Sequence, residues 1–200
     1  LIIFAMKKFL ITIFAFSILS SQIVKSEIYV GIDYLKNKFD SGITNISSTL
    51  DEEDNGFSLY TGFPLNDNLD FEVSYNDFGE SSLSGVSGNQ FKFEGTTYEF
   101  NTTATLAVSA NSIGFAAKPK LDLGEGITLF GKLGVHNWDS EFEITSTTAT
   151  ASEDDQGSDV YYGAGIEIDL VNIKGRFGYS LYDLDGEDVD SMNAGLSIKF

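Results

Sequence analysis

The chain has 200 residues, with 12 Lys and Arg against 30 Asp and Glu, and a formal net charge of −18. Such acidity excludes a nucleic-acid binder, because phosphate backbones attract Lys and Arg. The absence of cysteine excludes a disulfide-stapled fold. The length suits one domain, or one domain preceded by a processed segment.

In chain order, the first element is a predicted export signal. Met6-Lys7-Lys8 precedes the apolar run FLITIFAFSIL (9–19) and then SSQIVKS. A basic start, a short apolar core and the small residues that follow make a secretory signal peptide. The run falls short of the roughly 20 apolar residues needed to span a bilayer as a helix. Cleavage is expected after Ser26, with residues 1–5 upstream of the true start at Met6. A retained N-terminal anchor is the alternative. Removal of 1–26 takes Lys7, Lys8 and Lys25 and no acid, moving the net charge from −18 to about −21. The remaining domain is 27–200, and nothing in it is apolar enough for a membrane helix.

From residue 27 onward the hydrophobic period is two, the signature of strands. EIYVGIDYL (27–35) puts Ile28, Val30, Ile32 and Tyr34 on one face. GFSLYTGF (56–63) and LDFEVSYND (69–77) continue the pattern, as do SIGFAAKPKL (112–121) and ITLFGKLGV (127–135). VYYGAGIEIDL (160–170), NIKGRFGYSLY (172–182) and SMNAGLSIKF (191–200) bring the count to eight. Tight connections are predicted at PLNDN (64–68), DLGEG (122–126) and Leu170–Asn172. Long polar loops are predicted at about 39–55, 79–106, 145–158 and 183–189, and they hold the acidic runs DEED, EDD and DGEDVD. Alternating long and short connections describe an up-and-down antiparallel array with two unlike ends.

The strand faces indicate which side meets lipid. Lys118, Lys120, Lys132, Lys174, Arg176 and Lys199 fall on the polar faces, together with Asp33, Asp70, Glu72, Glu167, Asp169 and several glycines. A narrow closed lumen needs small residues and paired charges, since an unpaired buried charge is costly. The apolar faces are nearly free of charge through their middles. This pattern predicts an all-β fold, an eight-stranded antiparallel up-and-down transmembrane β-barrel with apolar residues facing lipid.

GFSLYTGFPLNDNLDFEVSYNDFG (56–79) resembles the second and third strands of the OmpA-like outer-membrane β-barrel family. AAKPKLDLGEGITLFGKLGVHNWDSE (116–141), with its Trp138-Asp139 pair, resembles the fourth and fifth, and YYGAGIEIDL (161–170) the sixth. The closing alternation of Met192, Ala194, Leu196, Ile198 and Phe200 resembles the signal read by the barrel-assembly machinery. The resemblance covers nearly all of 27–200. It departs from the family in two respects: no peptidoglycan-binding domain lies within these residues, and the 79–106 region is long and partly strand-like, so a projecting hairpin is expected.

The resemblance implies integral outer-membrane placement in a Gram-negative bacterium, with periplasmic termini and four acidic loops outside. It also implies a lumen ion-pair network at Glu72, Lys118, Lys132, Glu167 and Arg176. That network is expected either to fill the lumen or to gate a narrow, porin-like ion path through partner exchange, with Arg176 forking onto one carboxylate. Expected partners are outer-membrane lipid and lipopolysaccharide, the assembly machinery, and an extracellular ligand held by the loops. A monomer is expected.

No enzyme is expected. The sole histidine, His136, shares a face with Ser140 and has Glu141 nearby, which leaves a lipid-modifying enzyme as a remote alternative. No cofactor motif and no metal-ligand spacing appears. A soluble secreted ligand binder would keep the alternation but gives no reason for the final Phe200.

Overall fold

The computed structural model describes residues 27–200, so the signal-peptide expectation lies outside the described residues. Twelve strands follow in order among them. They are β1 (Tyr29–Phe39), β2 (Ile43–Asn45), β3 (Thr49–Asp51), β4 (Glu53–Asn66), β5 (Leu69–Gly85) and β6 (Gln90–Phe93). The rest are β7 (Thr96–Glu99), β8 (Ala104–Gly124), β9 (Ile127–Ser146), β10 (Thr150–Leu170), β11 (Ile173–Leu184) and β12 (Glu187–Lys199).

Eight of these close a ring. β1 pairs antiparallel with β4, β4 with β5, β5 with β8, and so on through β9, β10 and β11 to β12. β12 returns to β1, with Val30 opposite Ile198 and Phe39 opposite Val189. Closure removes both free edges. The eight predicted strands all lie in the ring, and the three short turns fall where PLNDN, DLGEG and Leu170–Asn172 place them.

Side chains alternate strictly across the wall. In β1 every second residue from Tyr29 to Phe39 is buried, while Val30, Ile32 and Tyr34 stand exposed outside. Met192, Leu196, Ile198 and Phe200 also point outward. Exposed apolar residues outside and buried polar ones inside are the arrangement of a membrane barrel, inverted from a soluble one.

The predicted long outer loops are corrected in part. β8, β9 and β10 have 21, 20 and 21 residues, about twice the 9–11 that cross the hydrocarbon. The 145–158 stretch is therefore mostly strand, turning at 147–149, and 183–189 is a tight turn at Asp185-Gly186. The ladder hydrogen bonds continue into water, but the outward face of β9 loses its apolar residues because no lipid remains to face. In β9 the parity reverses. Leu133 and Val135 point out, whereas beyond His136 the outward residues are Asn137, Asp139 and Glu141, and the apolar Phe142 and Ile144 turn inward. The β6–β7 hairpin within 79–106 pairs with β2 in a separate three-stranded sheet.

The inner glycines have a specific use. Tyr29 lies opposite Gly62, Tyr60 opposite Gly31, Phe130 opposite Gly165, Tyr161 opposite Gly134 and Trp138 opposite Gly157. In each pair a Cβ on the glycine would overlap the aromatic ring. The rings therefore lie flat across the neighbouring strand, filling the lumen and covering the glycine backbone. Gly62→Ala is expected to cost about 1–3 kcal/mol through overpacking against Tyr29. Gly131→Ala meets only Pro119 and Gly163, at 3.7 and 3.8 Å, and should leave stability unchanged. Urea unfolding in lipid vesicles, read by gel mobility, measures both.

Candidate functional site: the charged lumen

Six barrel strands send charges to the half of the lumen nearest the short turns. Period-two alternation brings Asp33 in from β1, Asp70 and Glu72 from β5, and Lys118 and Lys120 from β8. Lys132 enters from β9, Glu167 and Asp169 from β10, and Lys174 and Arg176 from β11. Register sets opposite charges across the wall, with Asp70 opposite Lys118, Glu167 opposite Arg176, and Asp169 opposite Lys174. Five carboxylates thus meet five cations.

Glu72 is the hub, with 0% of its surface exposed. Its Oε1 meets Lys132 Nζ at 2.5 Å, while Oε2 meets Arg176 Nη1 at 2.8 Å and Lys118 Nζ at 3.8 Å. Lys118 also pairs with Glu167 and donates to the Tyr29 hydroxyl at 3.2 Å. Tyr29 in turn donates to Asp70 at 3.2 Å. Arg176 donates from Nε (3.0 Å) and Nη2 (2.6 Å) to Asp33, and its guanidinium carbon sits 3.4 Å from the centroid of the Tyr60 ring. Asn193 completes the shell around Asp33 at 3.0 Å. Toward the short turns, Lys120 holds Asp70 at 2.5 Å, and Lys174 bridges Glu167 and Asp169 at 3.4 Å each. Planar Arg176 takes two carboxylates, while each lysine acts as a point charge among several acceptors.

Above the charges lies an aromatic layer. Tyr161 and Tyr182 stack at 4.9 Å, Phe78 packs edge-on to Tyr182 at 4.8 Å, and His136 meets both tyrosines edge-on at 5.7 and 5.3 Å. Leu35, Phe39 and Val189 join this cluster. Between the layers, Asn76 donates to Ser74 and Ser112 at 3.2 and 3.1 Å.

The five expected network residues, Glu72, Lys118, Lys132, Glu167 and Arg176, are brought together within this one cluster. Asp33 belongs to it equally, as the main acceptor of Arg176. Its parity on β1 already places it inside, and only its partner was illegible. The inward aromatics were missed although Tyr29, Tyr60, Phe130 and Tyr161 share the faces of the charges. Lys199 lies at the short-turn mouth of the barrel among Glu27, Asp122 and Lys174. Met192, Ala194, Leu196 and Ile198 stand on the lipid-facing side of β12, and Phe200 follows its end, exposed.

His136 and Ser140 do not form a catalytic pair. His136 Nε2 donates to the Asp183 carbonyl at 2.8 Å, and its ring is packed between tyrosines. Ser140, four strand residues away, is separated by roughly 13 Å at 3.3–3.4 Å per residue, far beyond a hydrogen bond. Among the described residues, no group of His, Cys, Asp and Glu is arranged to hold a metal ion.

Removing one partner from a buried ion cluster leaves the others uncompensated, at about 3–5 kcal/mol. Glu72→Gln should lower stability by that order in urea unfolding of the refolded protein. Glu53→Gln, which breaks the exposed 2.9 Å pair with Lys36, should leave the midpoint in place.

Solved structures similar to this chain include outer-membrane proteins. Ail, the attachment invasion locus protein of Yersinia pestis, in complex with the heparin analogue sucrose octasulfate, is 17% identical with a TM-score of 0.56, covering 88% of this chain and 100% of that one. OprG of Pseudomonas aeruginosa is 12% identical with a TM-score of 0.58, covering 90% and 98%. Neisserial surface protein A is 15% identical with a TM-score of 0.52, covering 86% and 97%. Among curated proteins none matches. The model of the OmpA-like transmembrane domain matches residues 24–196. With the closed ring and lipid-facing band, that match places the chain in the OmpA-like transmembrane domain family, as an integral outer-membrane β-barrel.

Proposed function

We propose that the protein is a sealed barrel with a structural and surface-interaction role, anchored in the outer membrane by its apolar band and displaying strand extensions outside. The observation that carries this reading is the double closure of the lumen. A buried ion-pair layer around Glu72 is followed by the stacked layer of Tyr161, Tyr182, His136 and Phe78. An eight-stranded barrel is just wide enough for side chains to fill it. Export through the predicted signal peptide, a monomeric state, and reading of the outward β12 stripe by the assembly machinery belong to the same proposal. The lipid partners are the membrane around the band and lipopolysaccharide at its upper border.

The Ail structure was solved with a polyanion. The outward surface here is lined instead by Asp139, Glu141 and Asp154, which repels a polyanion and points to a different ligand chemistry.

One observation favours a narrow gated ion path as second reading. Lys118 stands between two carboxylates, pairing with Glu167 while lying 3.8 Å from Glu72, so it can exchange partners without leaving the lumen. Conductance of the refolded protein in planar bilayers separates the two. A sealed barrel predicts silence from the wild type, from Lys118→Ala and from Glu72→Ala, because the aromatic layer remains. Discrete openings in the wild type that change with Lys118→Ala would replace the sealed barrel by the gate.

A further inference from the structure

Above the aromatic layer the barrel opens into a vestibule that the lumen network does not use. It is a cavity of about 640 Å³ between the extended β8–β9–β10 wall and the β2–β6–β7 sheet. That volume lies within the usual range of small-molecule sites.

Its lining differs from the lumen below. The parity reversal at the membrane border turns Leu106, Val108 and Phe142 inward, where Val108 and Phe142 each keep 36% of their surface exposed. Across from them the hairpin presents Phe91, Phe93 and Tyr98, with Phe91 stacked on Tyr98 at 5.5 Å. Trp138 lies at the cavity floor, its indole nitrogen donating to Asp159 at 2.7 Å. A concave apolar surface left open to water is a binding surface rather than a finished core.

The rim is acidic. Asp40, Asp155, Asp185, Glu187 and Asp188 border the cavity, and no Lys or Arg is among its lining residues. The Asp40 amide donates to the Asp188 carbonyl at 2.9 Å, tying two of these acids together. Burial, then the carboxylates of Asp40, Asp188 and Glu94, push the Glu187 carboxyl above its usual range. The rim thus gathers negative charge without an internal counterion, whereas the lumen below matches every carboxylate with a cation. An aromatic wall beneath an acidic ring has the two attractions a cationic amphiphile needs, ring faces and carboxylates.

We propose that the vestibule binds small cationic amphiphiles, molecules with an aromatic or short alkyl body and a protonated amine or quaternary ammonium. The body would lie against Phe142, Phe93 and Trp138, and the cation would face Glu187 and Asp188. This gives the surface role proposed above a ligand class, and it rests on that reading only for the outward direction of this end.

The chain's single tryptophan, Trp138, supplies the test. The protein is refolded into phosphatidylcholine vesicles and titrated with three dansyl probes of different charge, with Trp138 excited and dansyl emission read. Dansylcadaverine, a cation, should give saturable energy transfer. Neutral dansylamide should bind at least tenfold more weakly, and anionic dansylglycine more weakly still. The Glu187→Gln/Asp188→Asn variant should lose about tenfold for dansylcadaverine while approaching equal affinity for all three probes. Phe142→Gln should weaken binding with the order of preference kept. Heat-modifiable gel mobility checks that each variant is folded. Equal affinity of the wild type for all three probes would overturn the proposal. So would a dansylcadaverine signal that never saturates, or one unchanged in both folded variants. Conductance is unaffected by any of these outcomes, so the sealed-barrel reading stands or falls separately.

Discussion

A carboxylate with no exposed surface must find cations on the sides it presents, and Glu72 finds three. Most of the lumen is arranged around that requirement. Arg176 reaches Glu72 while its other face is held by Asp33, which Asn193 steadies in turn, and Tyr60 lies beneath its plane. Lys118 is steered by Tyr29, whose hydroxyl passes a hydrogen bond on to Asp70. Both tyrosines lie flat because glycines stand opposite them on the adjacent strand. The charged network and the aromatic–glycine pairs are thus one structure. The rings position the cations, and the glycines leave room for the rings. Such a cluster is poor evidence for high net stability, since desolvation offsets much of the attraction. Its evident effect is to fix one arrangement of eight strands and to leave little open space between them.

Solvent sets the second constraint. Below the level of His136 the wall faces hydrocarbon, and every backbone polar group must be satisfied within the closed ladder. Above it the same strands stand in water, and the β8–β9 ladder carries the opposite pattern, polar outside and apolar inside. No bulge in β9 produces the change, because the residue order itself switches parity between Val135 and Phe142. One continuous sheet therefore serves as membrane wall at one end and as the side of an open vestibule at the other.

Much of this was legible in the residues. Period-two runs with charge-free outer faces located all eight barrel strands, and Gly- and Asn-rich dipeptides located the short turns. Parity placed Glu72, Lys118, Lys132, Glu167 and Arg176 inside. The choice among partners was not legible, because register is fixed by closure of the whole ring. Arg176 stands opposite Glu167 on the adjacent strand yet binds Asp33 and Glu72 across the lumen. The outer strand extensions were read as loops because Asp, Glu, Ser and Thr dominate them, as in solvated connections. Their inward Leu106, Val108, Phe142 and Ile144 carried the correct signal, an alternation whose phase had reversed.

Glu72 and Arg176 hold the lumen together as a coupled pair. A double-mutant cycle measures that coupling directly, with Glu72→Gln, Arg176→Met and the double variant compared by urea unfolding in the same vesicles. Each single variant leaves a buried charge unmatched, so the double variant should be more stable than the sum of the two losses predicts, by about 0.5–3 kcal/mol. Losses that add to within about 0.5 kcal/mol would rule that coupling out, since independent sites behave that way.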